Sequence, residues 1–154
     1  MSPCARGIRR VADASSLATL AVVDPPLLPP LVIESVPLEP MKTVAALLHD
    51  SNPIHWDVES VQALGMGDRV VNQGPNNMAY VVNMLAGWAG GPGQVRGLRV
   101  RFLGNVFAGD RLTARGTVTG LREEGGERLA DLDVWLERAE DDRVLDGTAV
   151  VALG

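Results

Sequence analysis

At Gly90-Gly91-Pro92-Gly93 the hydrophobic period of the chain changes, and that change limits what it can fold into. Before it, Met78, Val81, Val82, Leu85, Trp88 and Ala89 recur at steps of three and four residues. This spacing predicts a helix over residues 75–89 with one buried stripe. Pro75 suits the first helical position, where a missing N–H costs no intrahelical bond. The glycine-rich run then stops the helix. After it the period is two, and residues 95–106, 111–121, 128–138 and 144–153 read as four strands. In the third, Ala130, Leu132, Val134 and Leu136 alternate with Asp131, Asp133, Trp135 and Glu137, giving one apolar face and one wet face. Gly109-Asp110 and Glu124-Gly125-Gly126 mark turns between strands. A sheet with one apolar face must cover it, and the long apolar helix is the element available. The expected class is α+β: a single domain whose antiparallel sheet wraps around a long central helix.

Upstream, residues 31–37 are apolar and β-branched enough for another strand. A helix is expected over 41–48, with Val44, Leu47 and Leu48 on one side. Residues 50–57 are rich in turn formers, and 58–64 read as a short helix stopped by Gly65 and Gly67. Asp57 is placed to cap that helix, with Ser60 or Gln62 nearby, and His49 to close the preceding one. Residues 1–24 read as an N-terminal extension, and 25–154 as the domain. The apolar run 15–23 after Arg9 and Arg10 has the outline of a signal peptide, but Asp13 and the double serine interrupt it. Pro25, Pro26, Pro29 and Pro30 force an extended entry into the domain.

The chain has 154 residues, enough for one core without disulfides or a structural metal. Net charge is −5, which argues against nucleic acid as the main partner. No stretch has the length and apolarity needed to span a membrane. The one cysteine, Cys4, cannot form an internal disulfide and is no credible nucleophile in the extension. A reducing cytoplasm is the simple inference. No cysteine–histidine cluster suggests a metal, and none is expected.

The segment that carries chemistry is His49-Asp50-Ser51-Asn52-Pro53-Ile54-His55-Trp56-Asp57. It sets an acid and an imidazole five residues apart across an Asn-Pro turn. Such a pair suits the addition of water to a double bond beside a carbonyl. One group takes a proton from water, and the other holds that water or delivers a proton to the α-carbon. Histidine titrates near neutrality and can do either.

Asp50, Asn52, Pro53 and His55 resemble the Asp-x-Asn-Pro-x-His motif of MaoC-like (R)-specific enoyl-CoA hydratases, which have the hot-dog fold. Gly74 matches the family's glycine before the long helix, and Arg101-Phe102 with Gly109-Asp110 resemble its "RF…GD" pair. The resemblance covers about residues 28–153. It implies a hydratase/dehydratase acting on a trans-2-enoyl-CoA, with the CoA thioester as substrate and no cofactor. By the same resemblance Asp50 and His55 are catalytic, Asn52 orients the water or the pair, and the Gly74 amide holds the thioester oxygen as it becomes an enolate. It also implies a homodimer or a higher homo-oligomer.

One departure bears on the substrate. Most relatives carry a His-Gly pair before the helix, where this chain reads Asn72-Gln73-Gly74-Pro75-Asn76-Asn77. Gln73, Asn76 and Asn77 are therefore candidate substrate contacts, with Trp56 and Arg101. The polar entrance suggests a bulky or oxygenated acyl group, such as a steroid side chain. Trp56 also reads as packing, and Arg96, Arg99 and Arg101 as either a phosphate-holding cluster or a solvated strand face. Two other functions stay open: a hot-dog thioesterase, disfavoured because residues 75–89 contain no acid, and a subunit of a heteromeric hydratase.

Overall fold

The computed structural model describes residues 27–154. The expected extension over 1–24, Cys4 and the first proline pair lie outside the described residues. Five strands form one antiparallel sheet in the order β1-β3-β4-β5-β2: β1 Leu31–Ile33, β2 Val95–Phe102, β3 Leu112–Glu124, β4 Glu127–Glu137 and β5 Arg143–Leu153. The helices are α1 Leu38–Leu48, α2 Val58–Ala63 and α3 Gly74–Ala89. α3 lies on the sheet and touches all five strands. This is the hot-dog arrangement expected from the change of period.

The strands follow the alternation closely. Ala130, Leu132, Val134 and Leu136 on β4 are buried, while Asp133 is exposed. β3 and β4 meet in a tight hairpin at Gly125-Gly126, both with positive φ (61° and 82°). A two-residue turn with positive φ at both positions matches the twist of its strands, and glycine adopts it without steric cost.

Three boundaries differ from expectation. β1 is only three residues long, because Val36 N–H turns away to donate to Asp110 O and Pro37 caps α1. α1 starts at Leu38, three residues early; Pro40 fits its first turn, where backbone N–H groups have no intrahelical acceptor. β2 ends at Phe102, and Val71 pairs instead with Phe107 beyond the bend.

The buried side of α3 also departs in part from the expected stripe. Asn77, Val81, Met84 and Leu85 face inward, whereas Met78 is exposed and Val82 only half-buried. On α1, Met41 and Ala45 are buried while Leu47 and Leu48 face solvent. On α3 the expected stripe holds at Val81, Leu85, Trp88 and Ala89 and fails at its edge, where Met78 is exposed; on α1 the expected side is displaced, with only Val44 half-buried.

Candidate active site

The segment from Asp50 to Asp57 hangs between α1 and α2. α1 ends at His49 in the left-handed region (φ 53°), and its N–H bonds back into the helix. Asp50 N–H does the same, donating to Ala45 O at 2.9 Å. The chain then turns through a single 3-10 turn, Pro53–His55. Asn52 shapes it: its Oδ1 accepts from Ile54 N–H at 3.3 Å, and its own N–H donates to Asp50 Oδ1 at 3.0 Å. Asp57 next caps α2, accepting from Glu59 and Ser60 N–H and from the Ser60 hydroxyl. The Ser60 hydroxyl is the main reason its carboxyl lies below the usual aspartate range; desolvation works against this, and the two backbone bonds add to it.

This local folding brings Asp50 and His55 together, with His55 Nε2 3.3 Å from Asp50 Oδ2. The opposite ring nitrogen, Nδ1, lies 2.6 Å from Val71 O. A carbonyl oxygen only accepts, so Nδ1 carries a hydrogen, and Nε2 is the nitrogen left to gain or lose a proton. Asp50 is similarly divided: Oδ1 is held by the Asn52 amide and Oδ2 faces the ring. The imidazole is largely buried and the carboxylate partly open to solvent.

Val71 is therefore a site residue that motif reading missed. It acts through a backbone carbonyl, which leaves no side-chain signal. Its own N–H donates to Ile54 O at 2.9 Å, so the two segments are bonded in both directions. Asn72 N–H donates to Val106 O at 2.7 Å, and Ala108 N–H to Val70 O at 3.0 Å. Arg69 adds a pin, reaching Asp110 Oδ1 at 2.6 Å and Ala108 O at 3.0 Å over the Phe107 ring. Asp110, quoted above for its place in a motif, thus braces the strip that holds His55.

Gly74 follows Val71 by three residues and opens α3. Three residues of chain span at most about 11 Å, so Gly74 is close to the carbonyl gripped by His55. A first helical residue has no intrahelical acceptor for its N–H. Pro75 has no N–H, and the Gln73 side chain makes no cap bond. The Phe102 ring lies over Gly74, and a Cβ there would come within 3.0 Å of Phe102 Cζ.

The remaining candidates separate. Gln73 and Asn77 are buried, with side-chain partners inside the protein, and Asn76 is half-buried beside them. Trp56 is 39% exposed and lines an open cleft of about 610 Å³ with Lys42, Ala45, Ala46, His49, Asp50 and Ser51. Arg101 points into solvent and pairs with Asp146 at 3.1 Å; Arg96 pairs with Glu127 at 2.8 Å. Among the described residues no group of acids, histidines or cysteines is placed to hold a metal, and no helix is long and apolar enough to cross a membrane.

The fold and this segment define a hot-dog domain with an acid–imidazole pair beside the strip that leads into its central helix. The profile of the family described as "MaoC like domain" matches residues 33–134, and the chain belongs to that family. Solved structures similar to it include an (R)-hydratase from A. caviae involved in PHA biosynthesis, at 25% identity, covering 88% of this chain and 100% of that one, with a TM-score of 0.74. The R-hydratase PhaJ1 of Pseudomonas aeruginosa is 20% identical, covers 84% of this chain and 81% of its own, and scores 0.70. The ChsH1-ChsH2 complex of Mycobacterium tuberculosis is also 20% identical, covering 84% and 97%, and scores 0.70. No curated protein sequence matches.

Proposed function

We propose that this protein hydrates a trans-2-enoyl-CoA reversibly to the (R)-3-hydroxyacyl-CoA. The observation that carries this reading is the divided pair: Asp50 Oδ2 facing His55 Nε2, with the outer atom of each group already tied down. Water held against the two inner atoms gives one proton to the pair, and its oxygen attacks the β-carbon. The π electrons move through the α-carbon to the thioester oxygen. Gly74 N–H, at the positive end of α3, holds that oxygen while it is negative. The enolate then collapses, and the pair returns one proton to the α-carbon. Atoms and charge balance with no cofactor, because the thioester carbonyl is itself the electron sink. Asn52 serves by shaping the turn that orients Asp50. The (R) configuration is supported by the likeness to the A. caviae enzyme.

For the acyl-CoA we assign Trp56, on the cleft beside Asp50; the expected contact from Arg101 is not assigned, because Arg101 pairs with Asp146 on the sheet face opposite the one that bears Phe102 and α3. A bulky acyl group such as a steroid side chain stays within this reading, because the cleft beside Asp50 is open to solvent and sets no tight limit on the acyl chain. We place the enzyme in the cytoplasm as a homodimer. A heteromeric assembly has its own support, because two similar structures are complexes named for two components, ChsH1-ChsH2 and HadBC.

The test is loss of enoyl-thioester absorbance across a panel of 2-enoyl-CoA substrates, short-chain to steroid-sized, with free thiol followed in parallel. Loss of absorbance without thiol supports the hydratase. Thiol release establishes a thioesterase instead, and no reaction with any substrate removes the reading for the isolated chain.

A further inference from the structure

The entrance to α3 is the most polar place in the interior, and the hydratase mechanism above uses none of its side chains. Gln73 is 2% exposed, Asn72 and Asn77 each 4%. Burying amides is unfavourable unless their hydrogen bonds are made. Here they are made with one another and with α1. Gln73 Nε2 donates to Met41 O in α1 at 2.8 Å. Gln73 Oε1 accepts from Asn76 Nδ2 at 3.0 Å, and the same nitrogen donates to Asn72 Oδ1 at 3.0 Å. Asn72 Nδ2 completes the set, donating to Asn77 Oδ1 at 2.7 Å. No buried side-chain nitrogen or oxygen among the described residues lacks a partner.

We propose that Gln73 is a positioning residue: with Asn72, Asn76 and Asn77 it fastens the first turn of α3 to α1 and so fixes the direction of the Gly74 N–H. This rests on the hydratase reading of the site. Gln73 stands at the N-cap position, where a shorter polar side chain would fold back and occupy the N–H groups of the first turn. Its longer side chain instead reaches away to Met41 O, so the turn is held firmly while its donors stay unclaimed by a cap. One amide supplies both the donor that α1 accepts and the acceptor that Asn76 requires. Met41 is itself fully buried, so the anchor on the α1 side does not move with solvent. The residue before Gln73, Asn72, carries the other end of the network and is bonded through its backbone to Val106 O. The strip is thus fixed on both sides between the carbonyl that orients His55 and the amide proposed for the thioester oxygen.

Hydrogen bonds that aim a transition-state donor act on kcat, whereas a side chain touching substrate in ground and transition state alike acts on KM. Gln73→Met keeps the length and removes both bonds. We expect kcat to fall about 10- to 100-fold, as displacement of a group by around an ångström does, with KM within about 2-fold. Asn76→Ala, at a half-buried position, removes two bonds of the same network without emptying the core. It should lower kcat less, with KM again unchanged, and it keeps the test open if Gln73→Met does not fold. Both are measured well below the midpoint of thermal unfolding, so that lost stability alone does not register. A raised KM at constant kcat would make these residues substrate contacts and overturn the proposal. Unchanged kcat and KM in either folded variant would reduce the network to packing and also overturn it. An inactive wild-type chain would instead overturn the hydratase reading, an outcome visible before any variant is made.

Discussion

The N-termini of α2 and α3 are finished in opposite ways. At α2, Asp57 folds back and accepts from Glu59 and Ser60 N–H at 3.2 and 3.1 Å, so two first-turn donors are taken by the chain itself. At α3, the cap residue Gln73 makes no such bond and is anchored to Met41 O. A capped end settles the helix and leaves nothing for a ligand; an uncapped end keeps donors and the positive end of the helix dipole available. The short helix beside the Asp50–His55 turn is closed, and the long central one is left open at the end of the strip whose Val71 O bonds His55. The contrast predicts that damage near α3's first turn is read mainly in rate, and damage at α2's cap or in the core mainly in stability.

The largest effect is expected at the pair itself. His55→Ala should lower kcat by about 100- to 10,000-fold, the range for loss of a general acid–base group, and Asp50→Asn should fall in the same range. Asp50→Asn should unfold near the wild-type temperature, because Asp50 is partly open to solvent; His55→Ala should also lose some stability, because the ring is buried and its Nδ1 bonds Val71 O, so its kcat is compared on folded protein. Steady-state kinetics and calorimetry on the same samples check this. Full activity in both variants would falsify the site assignment.

Leu85→Ala probes the far side of the same helix. Leu85 is fully buried against the sheet, and its truncation should cost about 2–5 kcal/mol in urea unfolding. The folded fraction should keep kcat within a few-fold, because the apolar face of α3 supports its position without directing its N–H groups. A loss of kcat comparable to that of His55→Ala would break the division between the two ends.

That division was only partly legible in the sequence. The change of period at residue 90 marks a central helix and four strands because alternation and the 3.6-residue repeat are both dictated by burial on one face, and the β-branched run at 31–37 marks the fifth. The stripe on α3 is legible at Val81, Leu85, Trp88 and Ala89 but not at its edge, where the apolar Met78 faces solvent and the polar Asn77 is buried, because apolarity alone does not say which of two neighbours is inside. The motif points to Asp50 and His55, which the fold brings together, and capping chemistry identifies Asp57 at the start of α2. What carries no side-chain signal was missed, above all Val71 O, which decides the ring tautomer. The amides after Asn72 were read as a polar entrance. Polar residues in a sequence suggest exposure, yet these satisfy one another and are buried.

Gly74→Ala should act more mildly and on rate. The added methyl would meet Phe102 Cζ at 3.0 Å, closer than ordinary contact, so either the ring or the helix entrance must shift. Phe102 is half exposed, which lets the ring yield part of the strain. A fall in kcat of about 10-fold is expected, well short of losing a donor outright. Combining it with Phe102→Ala should restore most of the loss, and a double-mutant cycle on kcat measures that coupling. Additive losses would mean that ring crowding is not the cause.

The smallest effect tests the closed end. Asp57→Ala removes the α2 cap, and its signature is its pH dependence. The folded carboxyl is held below the usual aspartate value, chiefly by the Ser60 hydroxyl, with desolvation opposing and two backbone donors assisting. A group whose folded pKa is depressed contributes stability above its unfolded pKa, near 3.9 for aspartate, and loses it as pH falls through the lower folded value. The variant should therefore be less stable than wild type at pH 7, by the same margin at pH 6, and by a shrinking margin below about pH 4. Paired urea titrations across that range measure the margin directly. kcat at neutral pH should stay near wild type, because α2 offers its end to no ligand. A margin independent of pH would show that Asp57 acts by shape and not by charge, and a large loss of kcat would mean that the closed helix serves the site after all.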